Sequence, residues 1–306
     1  MNGLLSHSFM QHALLAAVLV GVTAPSVGVY LVQRRQAIMG DGIGHVALTG
    51  VALGFLLSTS PVWTAVVVSA LGAVAMELIR AHGHARGDLA LAMLFYGGTA
   101  GGALIISLAP GASMASLNGY LWGSILTVSR ADLVTMGVLA LLVTAVTVGL
   151  RRQLFAVCQD EEYARVTGLQ VRLLNLVLAV TAAVTVTVAM RVVGLLLVSA
   201  LMVVPVAAAQ QISRAFAATQ LLAVVVGVLV TLGGTVGSYY VDVPSGPAIV
   251  VLAMAVFGAA AAIGAPLARA RTGKPGPAGT MATTHTVRKP TVRNPAVRKP
   301  APEESR

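Results

Sequence analysis

Nine apolar runs, separated by short polar breaks, set the pattern of this chain. They cover residues 13–32, 43–58, 61–79, 89–108, 133–150, 173–189, 192–211, 217–237 and 248–263. A helix that crosses a bilayer needs about 17–25 predominantly apolar residues. A helix also satisfies its own backbone polar groups, which lipid cannot do. The pattern predicts an all-α polytopic membrane bundle of about nine transmembrane helices. Residues 109–130 break the rhythm, because they are weakly apolar and hold Pro110, Asn118 and Trp122. They predict a short surface or re-entrant helix, with Tyr120 and Trp122 at the membrane interface. A crossing by this segment is the alternative, and it would move the N-terminus to the other side. The first run has no basic residues ahead of it, so it reads as a retained span rather than a signal peptide.

Composition sharpens the class. The chain is 57% hydrophobic and only 10% charged, with mean hydropathy +0.87. Soluble domains carry about a quarter charged residues. The net charge of +10 does not point to nucleic acid, because the basic residues sit in loops and in the tail. Nine spans with the N-terminus outside put Arg34, Arg35, Arg80, Arg86, Arg151, Arg152, Arg165, Arg172, Arg214 and the tail in the cytoplasm. Only Arg130 and Arg191 of the 20 Lys+Arg then fall outside, as the positive-inside rule requires. The chain divides into a membrane domain, residues 1–268, and a tail, residues 269–306. The tail carries three tandem pentapeptides, at 286–290, 291–295 and 296–300. Such a basic, Pro-rich segment has no core to bury and reads as disordered.

The ionisable residues inside or beside the spans carry the candidate chemistry. Asp41 and His45 are one helical turn apart at the head of the second span, so a carboxylate and an imidazole share one face. Charges in a span are costly and mark function by default. Both groups ligate divalent transition metals. Two protein ligands make a weak site, which suits an ion in transit. The bland alternative is an acid at a helix N-terminus beside a histidine bonded to a backbone carbonyl.

Residues 160–168 read as a short amphipathic helix in a long charged loop, 153–172, with acids in its first turn and Gly168 at its end. It is either a solvated linker or a point where a partner applies force. Residues 237–247 form an outside turn with Asp242 and Pro244, and read as a rigid Pro/Gly turn with an exposed acid. Pro205 bends the span that holds Ser199, as a packing kink or as a wall of a pathway. Glu77 reads as an acid snorkelling at a membrane edge. His82 and His84 read as loop residues. Cys158 is the single cysteine, which excludes an intrachain disulfide and a cysteine zinc cluster. The only lysines are Lys274, Lys289 and Lys299. A Walker A loop needs a lysine after its glycines, so any ATP hydrolysis belongs to another chain. No motif of a membrane hydrolase is present.

Five stretches in this order resemble the permease subunit of metal-type ABC importers, the zinc- and manganese-uptake family related to the iron-chelate and cobalamin permeases. They are GDGIGHVALTGVALG at 40–54, YLWGSIL at 120–126, DEEYARVTGLQV at 160–171, GLLLVSALMVVP at 194–205 and SYYVDVPSGP at 238–247. The resemblance spans about residues 33–257. It implies a type II ABC importer fold with Asp41 and His45 in the metal pathway. Asp160, Glu161, Glu162, Ala164 and Gly168 then fall in the helix that couples to the ATPase. Tyr120, Trp122, Asp242 and Pro244 fall where a binding protein docks. The implied partners are ATP-binding cassette ATPase subunits, an extracytoplasmic metal-binding protein, a second permease in a homodimer, and the lipid bilayer. Zn2+ or Mn2+ is the transported ion rather than a resident cofactor, and the imidazole favours zinc slightly. Gly44 departs from the commoner Ser or Ala before the histidine, and the repeat-bearing tail is not a family feature. An ion-coupled secondary carrier, with Asp41 and His45 as a proton-coupled site, is the alternative.

Overall fold

The computed structural model describes residues 8–81, 87–110, 114–123 and 128–272. Their regular structure is helical throughout. The elements are α1 (Ser8–Gln33), α2 (Met39–Leu56), α3 (Pro61–Ala81), α4 (Gly87–Leu108), α5 (Met114–Trp122), α6 (Arg130–Gly149), α7 (Arg151–Gln159), α8 (Glu161–Val166), α9 (Val171–Met190), α10 (Leu195–Ile212), α11 (Phe216–Val241) and α12 (Ser245–Thr272). Nine of these described helices are long and apolar enough to cross a membrane. The exceptions are α5, α7 and α8, all shorter than ten residues. The polar segment after the fourth span therefore makes a nine-residue helix and no crossing, as its composition predicts.

The bundle is arranged around α1, α2 and α9, whose surfaces are mostly buried by protein. α2 lies between α3 and α4 and also touches α9 and α10, while α1 packs along α10 and α11. Lipid tails are as apolar as the side chains, so burial of apolar area alone does not hold such helices together. Close packing and internal hydrogen bonds do. Thr181, Thr185 and Thr187 of α9 each donate to the carbonyl four residues back, so these three buried hydroxyls are satisfied within their own helix. Ser69 of α3 meets Thr187 at 3.1 Å across the helix interface. Pro25 and Pro205 lie inside α1 and α10 without ending either helix.

The hairpin order puts the ends of α1 and α3, the start of α9, and both α7 and α8 at one arginine-rich end of the bundle. The opposite end holds α5, the α9–α10 turn and the α11–α12 turn. There the backbone of α5 and the α9–α10 turn pack in close contact. Gly194, at φ 86°, has no room for a side chain, because a Cβ would lie 2.3 Å from the carbonyl carbon of Trp122.

Three expectations change. The charged stretch 153–172 is not one loop around a single short helix, because α7 precedes α8 and buries Leu154 and Val157 three residues apart. Glu77 does not snorkel. It is 4% exposed, since Arg80 one turn on forks both its oxygens at 2.9 Å. α12 runs past residue 269 to Thr272. The pentapeptides, His82 and His84 lie outside the described residues.

Candidate functional site

Asp41 sits in the first turn of α2, where the helix dipole favours an anion. It is half-buried. His45 follows one turn later and is 8% exposed. Glycine brings α4 against it: a Cβ on Gly98 would lie 2.5 Å from the carbonyl carbon of His45, so only glycine admits this approach. Thr49, one turn further along α2, donates to the Gly98 carbonyl at 2.7 Å and closes the same seam. Phe95 covers the imidazole, with ring centroids 4.1 Å apart. On the other side of α2, Ser199 and Met202 of α10 pack beside Gly40.

The hydrogen bonds around Thr99 bear on the tautomer of His45. Thr99 donates its one hydroxyl proton to the Phe95 carbonyl at 2.7 Å. The same oxygen lies 2.8 Å from Nδ1 of His45. A Thr99 hydroxyl that gives its proton to the carbonyl accepts from the ring, which puts the donor at Nδ1. The neutral ring then carries its proton on Nδ1 and leaves the Nε2 lone pair bare for a metal. The imidazole bonds a hydroxyl on another helix, not the backbone carbonyl of the bland reading. Among the described residues no cluster of three or more His, Cys, Asp or Glu is placed to hold a metal. Among these residues Asp41 and His45 stand as a pair, one turn apart on α2.

At the arginine-rich end the five residues of 160–168 part company. Asp160 caps α8 by accepting from the amides of Glu162 and Tyr163 at 2.9 and 3.0 Å. Gly168, at φ 84°, closes the other end, with its own amide bonded to Arg165 and that of Leu169 to Ala164. Ala164 is 0% exposed. Glu161 turns inward to Arg34 and Arg80. Burial pushes its carboxyl up, but the two guanidiniums outweigh this and hold it below the ordinary carboxylate value. Glu162 points outward, beside two residues the sequence reading did not single out: Tyr163, and Val166 at 87% exposure. An exposed aromatic next to an exposed aliphatic on one short helix was the available signal.

At the opposite end Trp122, Asp242 and Pro244 are exposed. A cavity of about 300 Å³ lies among Gly123, Ser238, Asp242 and Pro244. Tyr120 is not interfacial as expected. It is buried, packed edge-on to Phe55 and covered by the Arg191 guanidinium, 5.0 Å from its ring centre. Arg191 is held in turn by Asp132 at 2.5 Å.

Residues 6–264 match the ABC 3 transport family. The manganese transport system membrane protein MntC of Halalkalibacterium halodurans is 32% identical over 255 residues, which is 83% of this chain and 87% of that protein. The high-affinity zinc uptake system membrane protein ZnuB of Haemophilus influenzae is 26% identical over 245 residues, or 80% and 94% of the two chains. Among solved structures, PsaBC from Streptococcus pneumoniae in complex with Fab superposes with TM-score 0.77 at 28% identity, covering 85% of this chain and 93% of that one. With a family match over most of its length and a bundle of the same shape, this chain belongs to the ABC 3 transport family of membrane permeases.

Proposed function

We propose that this permease of a metal-type ABC importer carries a divalent transition metal ion, zinc ahead of manganese, past Asp41 and His45. One observation carries the site assignment. The Thr99 hydroxyl, 2.8 Å from Nδ1 of His45 and 2.7 Å from the Phe95 carbonyl, favours a ring proton on Nδ1, and a bare Nε2 would then stand one turn from a carboxylate inside a span. That donor pair suits zinc and admits manganese. Only two protein ligands hold the ion, so it is free to leave as well as enter.

The permease works as a homodimer in the cell membrane with its C-terminal tail in the cytoplasm. An extracytoplasmic binding protein docks near Trp122, Asp242 and Pro244 and delivers the ion. Separate ATP-binding cassette subunits bind the outward face of α8, at Glu162, Tyr163 and Val166. The test is uptake into proteoliposomes that contain the permease, its ATPase subunit and its binding protein, supplied with labelled zinc and labelled manganese. Uptake that requires ATP, with zinc preferred, supports the reading. A preference for manganese would replace the metal, and uptake without the ATPase would replace the mechanism by an ion-coupled carrier.

A further inference from the structure

Glu161 is one residue from Glu162 in sequence, yet the two face opposite ways. One oxygen of Glu161, Oε1, accepts from Nη2 of Arg34, from Nη2 of Arg80 at 3.3 Å, and from Nδ2 of Asn175 at 3.3 Å. Arg34 also donates to Oδ1 of Asn175 at 2.8 Å. Arg80 in turn holds Glu77 through both its oxygens. Two cations and two anions thus close a neutral set that ties α8 to the end of α1, the end of α3 and the start of α9. The Arg34 side chain is only 6% exposed.

Two cavities flank this set. One of about 240 Å³ lies on the side of Gln33, Arg35 and Gln159. One of about 460 Å³ lies on the side of Arg165 and Arg172. Apolar packing does not fill the space around Glu161, so its charge bonds are the bridge across that space. Separating an acid from a buried arginine strands an uncompensated charge. A push on α8 is therefore transmitted to its partners rather than absorbed.

Both arms of the bridge lead to α2. Arg34 opens the tight turn into α2, in which Arg35 has φ 58° and the amide of Gln36 bonds to Leu31 at 2.8 Å. Asp41 follows after that turn. Arg80 ends α3, which runs along α2 in close backbone contact: a Cβ on Gly50 would lie 2.6 Å from the Cα of Ala65.

We propose that Glu161 is a positioning residue for transport, linking α8 through Arg34 and Arg80 to the helix that bears Asp41 and His45, and not an ATPase contact. This rests on the importer reading above. The test uses the whole complex in proteoliposomes and measures labelled zinc taken up per ATP hydrolysed. Glu161→Gln is expected to keep the ATPase subunit bound through size-exclusion chromatography and to lower the uptake-to-hydrolysis ratio at least tenfold. Glu161→Asp, which keeps a carboxylate between Arg34 and Arg80, is expected to retain most of that ratio, including where Glu161→Gln folds poorly. Loss of the ATPase subunit from Glu161→Gln would make it a docking residue and overturn the proposal. So would an unchanged ratio in Glu161→Gln, or a folded Glu161→Asp variant as uncoupled as Glu161→Gln. If the unaltered complex shows no ATP-dependent uptake, the importer reading itself fails, and this proposal falls with it.

Discussion

Replacing Thr99 by valine tests the tautomer of His45 with little change in shape. The substitution removes the oxygen that stands 2.8 Å from Nδ1 and leaves the close seam between Gly98 and His45 untouched. A buried donor stripped of its acceptor costs about 1–3 kcal/mol. Loss of the partner that orients a metal-binding histidine typically lowers metal affinity 10–100-fold. His45 is buried, but Thr99 lies on the exposed side of α4, so water has a route to replace part of the lost bond. The lower bound applies, about tenfold, or about 1.4 kcal/mol. Kinetics of labelled zinc uptake should therefore show KM raised about tenfold in Thr99→Val, with kcat changed far less. Thr99→Ser keeps the hydroxyl and should restore the parent KM. If Thr99→Val takes up zinc with the parent KM while folded and bound to its ATPase subunit, the tautomer argument is refuted. If Thr99→Ser fails as badly as valine, the effect is one of packing instead.

Three further outcomes follow from the same geometry. Gly98→Ala places a methyl 2.5 Å from the His45 carbonyl carbon and should cost about 1–3 kcal/mol through overpacking, read as a lower midpoint of thermal unfolding in detergent. Asp160→Ala removes the two bonds that cap α8 and should cost the helix about 1 kcal/mol, read as faster amide exchange at Glu162 and Tyr163. Burial pushes the Cys158 thiol up to about 11, with Arg34 drawing it partly back. Because the thiolate is the reactive form, maleimide labelling of Cys158 should be slow at neutral pH and rise as pH approaches 11.

The spans were legible because each is a long apolar run with an arginine beyond at least one of its ends, and lipid leaves a helix as the one open-ended solution. α5 was legible for the converse reason, since Asn118 and Trp122 make a poor crossing. α7 was missed. Its buried Leu154 and Val157 lie three residues apart, but among Arg151, Arg152 and Gln153 that period is too short to stand out. The pairing of Asp41 with His45 was visible as spacing on one helix. Thr99 was not, because it meets His45 across 54 residues of sequence and nothing local marks it. Likewise, neighbouring acids in 160–168 look equivalent in sequence. Arg34 and Arg80, 127 and 81 residues away, decide that Glu161 turns inward and leave Glu162 outside. Tyr120 reads as an interfacial aromatic for the same reason, until Arg191 is seen lying over its ring.

The most direct test of the pathway is labelled zinc uptake by His45→Ala permease, assembled with its ATPase subunit and binding protein in proteoliposomes. The account predicts that uptake falls to background while the complex stays assembled and hydrolyses ATP. Uptake at the rate of the unaltered permease would contradict it, and would remove His45 from the path of the metal.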